Sequence, residues 1–425
     1  MRYLYTIVLH LYAFSIEVAS FFNRKARMTR LGQWHTNGIL RKKISRDAKY
    51  VWFHCASLGE FEQGRPLMEA LRKRCPELKI LLTFFSPSGY EVRKNYTGAD
   101  VICYLPFDTP FKVRKFLHLA KPCAAVFIKY EFWLNYLTEL KHRGIKTYIV
   151  SAIFRPDQLF FKWYGAWYRK ILSYYERLFV QDEDSRRLLA DYGVNNVEVC
   201  GDTRFDRVLE IQSNARLLPE IEEFASGNRL VLVAGSTWPE DEEILIPYFN
   251  AHPEIKLIIA PHEINREHLL YIQSLLNRPS IRLSESRVNN SEASSNVHAH
   301  DSLKSADCLI IDSFGLLSSI YRYGHIAYIG GGFGRGIHNT LEAAVYAIPV
   351  VFGPKYQKFK EAQGLIDCGG GFTIDGRQAF DTCLNNFIFN TIMRTESGDA
   401  AGAYVHNKVG ATEKILEYLK NSLTE

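Results

Sequence analysis

The chain has 425 residues, 47% hydrophobic and 23% charged, which excludes a disordered protein and favours two domains over a single core. Its net charge of +6 is modest and no basic–aromatic binding motif accompanies it, so nucleic acid is not expected as a partner. Eight cysteines stand singly, without a CxxC pair or a metal-ligand spacing, which reads as reduced thiols in a cytosolic setting with no metal site.

From Tyr3 to Phe22 the chain is apolar and aromatic, interrupted by His10, Ser15 and Glu17. A basic cluster follows at Arg24, Lys25, Arg27 and Arg30, and another at Arg41, Lys42 and Lys43. A stretch of about twenty residues can cross a bilayer, but Glu17 in hydrocarbon would cost roughly 2.5–3.5 kcal/mol. A helix lying in the interface keeps Glu17 wet while the basic cluster meets anionic headgroups. Residues 1–22 are therefore expected to be a membrane-anchor helix, spanning or lying flat. If it spans, the positive flank keeps the rest of the chain cytoplasmic. No small-residue cleavage site follows, which argues against a signal peptide. A core helix packed on its own domain is the competing reading.

Short apolar runs then alternate with helix-length segments. Tyr50–His54, Lys79–Thr83, Val101–Leu105, Ala124–Ile128, Lys146–Val150 and Arg177–Val180 form a first series of strands. Leu230–Ala234, Lys256–Ala260, Cys308–Ile311, Ile326–Ile329 and Pro349–Phe352 form a second. Such runs predict parallel sheets covered on both faces. The polar stretch 211–228 between them is read as a linker, separating a first domain (23–210) from a second (229–405). Ser284–Asn296 is a polar loop inside the second domain. The tail 406–425 carries helical spacing over Ala411–Leu423 and is expected to pack back on the first domain.

Two glycine turns carry the chemistry. The first strand runs into Cys55-Ala56-Ser57-Leu58-Gly59-Glu60-Phe61, which puts a carboxylate at the carboxyl end of a strand, where a general base belongs. The bland alternative for Glu60 is a first-turn glutamate favoured by the helix dipole. In the second half, Tyr328 to Pro354 reads strand, Gly330-Gly331-Gly332, loop, helix from Asn339 and buried strand. Glycines admit a ligand close to the backbone, and Glu342 near the helix start suits ribose hydroxyls better than phosphate. This is a nucleotide pocket in a doubly wound sheet, or a tight turn with a solvent-facing glutamate. Two Rossmann-like α/β domains facing a cleft, with the nucleotide loop in the second, describe the GT-B architecture.

The segment Trp52-x-His54-Cys55-Ala56-Ser57-Leu58-Gly59-Glu60 resembles the W-x-H-(A/G)-x-S-x-G-E signature of the 3-deoxy-D-manno-octulosonic acid (Kdo) transferases of lipopolysaccharide synthesis. Further motifs follow in that family's order. Tyr104–Asp108 resembles Y-x-P-x-D, Glu131–Asn135 resembles E-x-W-P-N, and Gly201–Asp206 resembles G-N-x-K-F-D. Gly235–Glu242 resembles the S-T-H-x-x-E-E segment and Gly336–Glu342 resembles G-G-H-N-x-L-E. The resemblance implies inverting, metal-free transfer of Kdo from CMP-Kdo, a co-substrate rather than a cofactor, to the lipid A precursor at the cytoplasmic side of the inner membrane. It assigns Glu60 as proton acceptor. It assigns CMP binding to Pro261 and His262, to Phe314, Gly315 and Leu316, and to Asn339, Thr340, Leu341 and Glu342. Ser57, Gly59, Glu131, Arg266 and His338 are supporting candidates.

The chain departs from the family at several points. His262 stands where an arginine is usual, with Arg266 matching a second arginine. Phe314-Gly315-Leu316 replaces M-G-E, Arg155 is displaced by two positions from S-A-R, and Lys129 replaces a glutamate. His338 either touches phosphate or caps its loop, and His54 reads as a structural histidine. Arg65 and Arg93 are candidates for an anionic acceptor, whereas the aromatic–basic patch around Trp167 reads as packing surface. Rivals are a GT-B transferase using another nucleotide sugar and lipid acceptor, and a non-catalytic nucleotide-binding membrane protein.

Overall fold

The computed structural model describes residues 2–286 and 303–424, so most of the polar loop 284–296 lies outside the described residues. The chain forms two compact units. The first comprises residues 1–207 and 409–425, and the second comprises Val208–Lys408.

The first unit is built on seven parallel strands: β1 (Tyr50–Cys55), β2 (Lys79–Phe84), β3 (Val101–Tyr104), β4 (Pro122–Ile128), β5 (Lys146–Ala152), β6 (Arg177–Val180) and β7 (Val197–Val199). Their order is β3-β2-β1-β4-β5-β6-β7. Both faces are covered, as near-continuous apolar strands require. One layer gathers Trp52, Phe116, Phe127 and Tyr136, the other Phe53, Phe61, Met68 and Tyr148. The C-terminal helix Ala411–Thr424 completes the second layer with Ile415, Leu416 and Leu419. Asp206 fixes its start, accepting from the amide nitrogens of Gly410 (2.5 Å) and Thr412 (2.7 Å).

The N-terminal segment is two helices, Arg2–Ala19 and Arg24–Lys43, bent by 118°. No single helix among the described residues is long and apolar enough to cross a membrane. The second helix is part of the unit: Leu40 is buried in its core and the Thr36 hydroxyl donates to the carbonyl of Tyr104 at 2.8 Å. The first helix is anchored more lightly, by the Tyr5 hydroxyl donating to buried Asp108 at 2.8 Å. Leu4, Val8, Leu11 and Phe14 on this helix stay more than half exposed.

The second unit repeats the plan with β8 (Leu230–Thr237), β9 (Ile255–Pro261), β10 (Ser280–Arg282), β11 (Cys308–Ile310), β12 (Ile326–Ile329), β13 (Val350–Phe352) and β14 (Gly371–Thr373). The order is β10-β11-β9-β8-β12-β13-β14, again all parallel. Residues 211–228 are not a free linker. The chain enters the second unit within the helix Thr203–Ser213, and Ile221 and Phe224 of the helix Pro219–Ala225 are fully buried. Lys256 donates to the carbonyl of Phe224 at 2.6 Å, which ties that helix to β9. Polarity on one face hid this packing.

In each sheet the first strand has its successors on one side and the later strands on the other. This makes β1/β4 and β8/β12 the switch points, where crevices open at the carboxyl ends of parallel strands. Three non-glycine residues with positive φ sit at such strand ends: Lys129 (70°), Ser151 (54°) and Ser236 (55°). Each costs about 1–3 kcal/mol, a strain that accumulates at functional loops.

Candidate active site

At the first switch point, Ser57 leaves β1 with extended backbone and begins the helix Leu58–Arg74. The S-x-x-E spacing makes Glu60 reach back: its Oε2 accepts from the Ser57 amide (2.7 Å) and the Ser57 hydroxyl (3.0 Å). Glu60 therefore does fill the capping role open to it in the sequence. Its Oε1 has no protein partner among the described residues and remains able to take a proton. Burial raises the Glu60 pKa, with the negative charge of Glu131 adding to it, while the Ser57 bonds oppose the rise. Gly59 is exposed beside it.

Glu131 follows β4 across the same switch point and is 6% exposed. Its Oε2 faces His54 Nε2 at 3.0 Å and accepts from the Trp133 indole at 2.5 Å. His54 Nδ1 lies 2.9 Å from Thr83 Oγ1, which accepts from the Trp52 indole at 2.8 Å. An indole N–H only donates and a threonine hydroxyl has one proton. His54 is thus bonded through both ring nitrogens and holds the carboxylate whose charge acts on Glu60. Arg155, displaced in sequence, reaches Tyr130 beside Glu131, with its guanidinium 3.4 Å from the phenol oxygen. Arg65 and Arg93, named for an anionic acceptor, are instead paired with Glu69 (2.7 Å) and Glu62 (2.6 Å).

At the second switch point, Pro261 ends β9 buried, and His262 projects exposed beyond it. Its ring stacks on His338 (centroids 4.4 Å apart) and on Trp238 (4.7 Å). The Trp238 indole approaches His338 Nε2 at 3.2 Å. Asp241 organises the glycine loop below: it accepts from the Gly331 amide (2.8 Å), the Tyr328 hydroxyl (2.7 Å) and the Trp238 amide (2.9 Å). Gly331 is at φ 90°, and a Cβ there would lie 2.5 Å from the Gly336 carbonyl oxygen. Burial, and then the proximity of His262, lower the His338 pKa to about 4.

The helix expected from Asn339 is a single turn, Leu341–Ala344. Its contribution is local rather than a long macrodipole: Asn339 Oδ1 accepts from the Leu341 amide (3.2 Å) while Asn339 Nδ2 donates to Glu342 Oε1 (2.9 Å). Gly315 lies at φ 82° between Phe314, which is 78% exposed, and buried Leu316. Arg266 opens the helix Arg266–Leu275 on the exposed surface, and neither Arg266 nor Phe314 joins the ring stack. Buried oxygens without a partner include Ser313 Oγ, Thr340 Oγ1 and Tyr346 Oη. Two of these belong to, or adjoin, segments assigned to nucleotide binding, and an unpaired buried hydroxyl costs about 1–3 kcal/mol, which a ligand group can recover. Among the described residues no group of three or more His, Cys, Asp or Glu could hold a metal.

Trp238 and Asp241 were not singled out as site residues, and the pairing of His54 with Glu131, itself a supporting candidate, was not anticipated. The Trp238-Pro239-x-Asp241 spacing, an acid three residues after a cap and a proline at the first helical position, is the signal that points to Asp241.

The two parallel units, each with candidate site residues at its switch point, make a GT-B-like α/β fold. The same fold is found in UDP-GlcNAc 2-epimerase from Neisseria meningitidis (TM-score 0.62, 16% identity, 88% of this chain and 100% of that one). It also recurs in MurG of Acinetobacter baumannii (TM-score 0.52, 12% identity, 88% and 99%). Sequence is more specific than fold. The family model for 3-deoxy-D-manno-octulosonic-acid transferase (kdotransferase) matches residues 26–207. The 3-deoxy-D-manno-octulosonic acid transferase of Aquifex aeolicus is 26% identical over 381 residues (87% of this chain, 94% of the relative). That of Rickettsia typhi is 28% identical over 408 residues (91% and 82%), and that of Bordetella pertussis 27% over 389 (88% and 87%). Over most of its length the chain is similar to Kdo transferases, which are glycosyltransferases.

Proposed function

We propose that the protein transfers Kdo from CMP-Kdo to a hydroxyl of the lipid A precursor (lipid IVA), with inversion and without a metal, on the cytoplasmic face of the inner membrane. The observation that carries the reading is Glu60. It is fixed by Ser57 through one oxygen, open at the other, and raised in proton affinity by burial and by Glu131. A sugar hydroxyl is a weak nucleophile at neutral pH, so a positioned base of this kind contributes about 10²–10⁴-fold. Cytidine monophosphate is an acidic leaving group and needs charge stabilisation more than a proton. His262, His338 and the Gly331 loop offer that, and Glu342, held by Asn339, suits the ribose. The exposed apolar face of the helix Arg2–Ala19, followed by the basic run from Arg24, suits an anionic membrane surface.

Substituting His for Arg at position 262 leaves open another nucleotide sugar, so the test compares donors. The protein is incubated with CMP-Kdo and a tetraacylated lipid A precursor, or with uridine-linked sugars, and the lipid product is weighed by mass spectrometry. Product only with CMP-Kdo supports the reading. Product only with a uridine-linked sugar replaces it with the rival transferase, and bound nucleotide without any product favours the non-catalytic protein.

A further inference from the structure

The ring cluster at the second switch point holds more information than a binding patch. His338 Nε2 faces the Trp238 indole nitrogen at 3.2 Å. Indole N–H can only donate, so Nε2 must be the unprotonated, accepting nitrogen of a neutral imidazole, and the ring proton sits on Nδ1. The His338 backbone is fixed by its amide bond to the Gly330 carbonyl (3.2 Å), and its ring is covered on one face by His262 at 4.4 Å. Trp238 is fixed in turn by its amide bond to Asp241 (2.9 Å), by stacking on His262, and by Arg335, whose guanidinium lies 5.9 Å from the indole centroid. His338 Nδ1 has no protein partner among the described residues, although the ring is largely buried.

We infer that Trp238 is a positioning residue that locks the His338 tautomer, so that Nδ1–H is presented as a neutral, pre-oriented donor to an anionic oxygen of the nucleotide-sugar. The ligand half of this inference rests on the donor reading above; the tautomer half does not. A neutral donor suits this position. Two stacked imidazoles cannot both be charged without repulsion, and burial disfavours the charge on His338. The lowered pKa of His338 agrees with this.

The test is nitrogen NMR of histidine-labelled full-length protein, with His338 assigned through His338→Gln. Wild type should show a pyridine-like Nε2 and a pyrrole-like Nδ1, and a proton on Nε2 would overturn the inference. Trp238→Phe keeps an aromatic ring and removes the donor. It should yield mixed tautomers and bind CMP about 3- to 10-fold more weakly, the worth of one neutral hydrogen bond. A fully folded Trp238→Phe with an unchanged tautomer would also overturn it. If that variant fails to fold, the wild-type spectrum decides alone. Wild type that shows the locked tautomer yet binds no CMP would retain the lock and remove the donor reading.

Discussion

Glu60 Oε2 accepts both the amide and the hydroxyl hydrogen bonds of Ser57, at 2.7 and 3.0 Å, which makes one carboxylate both the cap of its helix and the candidate base. The two roles use different oxygens. Capping removes the side-chain freedom that a base would otherwise lose on meeting substrate. It also means that truncation carries a structural cost, so the substitution that isolates chemistry is Glu60→Gln, which keeps an acceptor oxygen. Glu60→Gln should reduce transfer by about 10²–10⁴-fold while CMP binding by calorimetry stays within about twofold. Glu60→Ala should in addition destabilise the first unit by about 1 kcal/mol, read in chemical denaturation.

Glu131 shapes the pH dependence. A carboxyl whose pKa is raised stays protonated to higher pH than an ordinary one, so as a base it loses activity earlier as pH falls. Burial is the larger cause of the rise at Glu60 and the Glu131 charge the second. Glu131→Gln removes that charge and should move the acid limb of kcat/KM to lower pH. An unmoved limb would show that Glu131 does not act on the base.

His338 has the opposite sign. Its pKa is lowered from 6.5 to about 4, so between those values the unfolded chain binds more protons than the folded one. Folding stability from this group is complete above pH 6.5 and falls as pH drops toward 4. In His338→Gln that contribution is absent. The loss of thermal stability on acidification from pH 7 to 4.5 should therefore be smaller than in wild type, measured by scanning calorimetry at matched ionic strength.

Gly331 tests the loop. At φ 90°, with the Gly336 carbonyl 2.5 Å from where a Cβ would sit, Gly331→Ala cannot be accommodated without moving the backbone. It should cost more than about 1 kcal/mol and weaken CMP binding, because the same amide bonds Asp241. Gly369→Ala, also at positive φ (79°) but with open space around its Cβ, should cost less and leave CMP binding intact.

Much of this was legible in the sequence, for physical reasons. The central strands read clearly because burial on both faces makes them continuous apolar runs, and Arg177–Val180 and Ile326–Ile329 were read residue for residue. The three strands not anticipated, Val197–Val199, Ser280–Arg282 and Gly371–Thr373, are three-residue edge strands with mixed composition, and they have no such signature. Some recognised motif residues turned out to be anchors. Asp108 accepts from the Tyr136 amide (2.8 Å) and the Asn135 amide (3.0 Å), and Asp206 holds the start of the C-terminal helix. Spacing alone cannot separate such carboxylates from Glu60, because both kinds are fixed by backbone amides. His54 did follow its sequence reading, being buried with both nitrogens bonded. The Trp238–His262–His338 stack was invisible beforehand because its members come from three separate loops.

The most direct test is transfer itself: purified full-length protein, CMP-Kdo generated in situ, a tetraacylated lipid A precursor, and mass spectrometry of the lipid, run beside Glu60→Gln. Kdo-modified lipid from wild type and almost none from a variant that still binds CMP is the predicted result. Equal product from both would contradict Glu60 as the base, and no product from a CMP-binding wild type would contradict the acceptor.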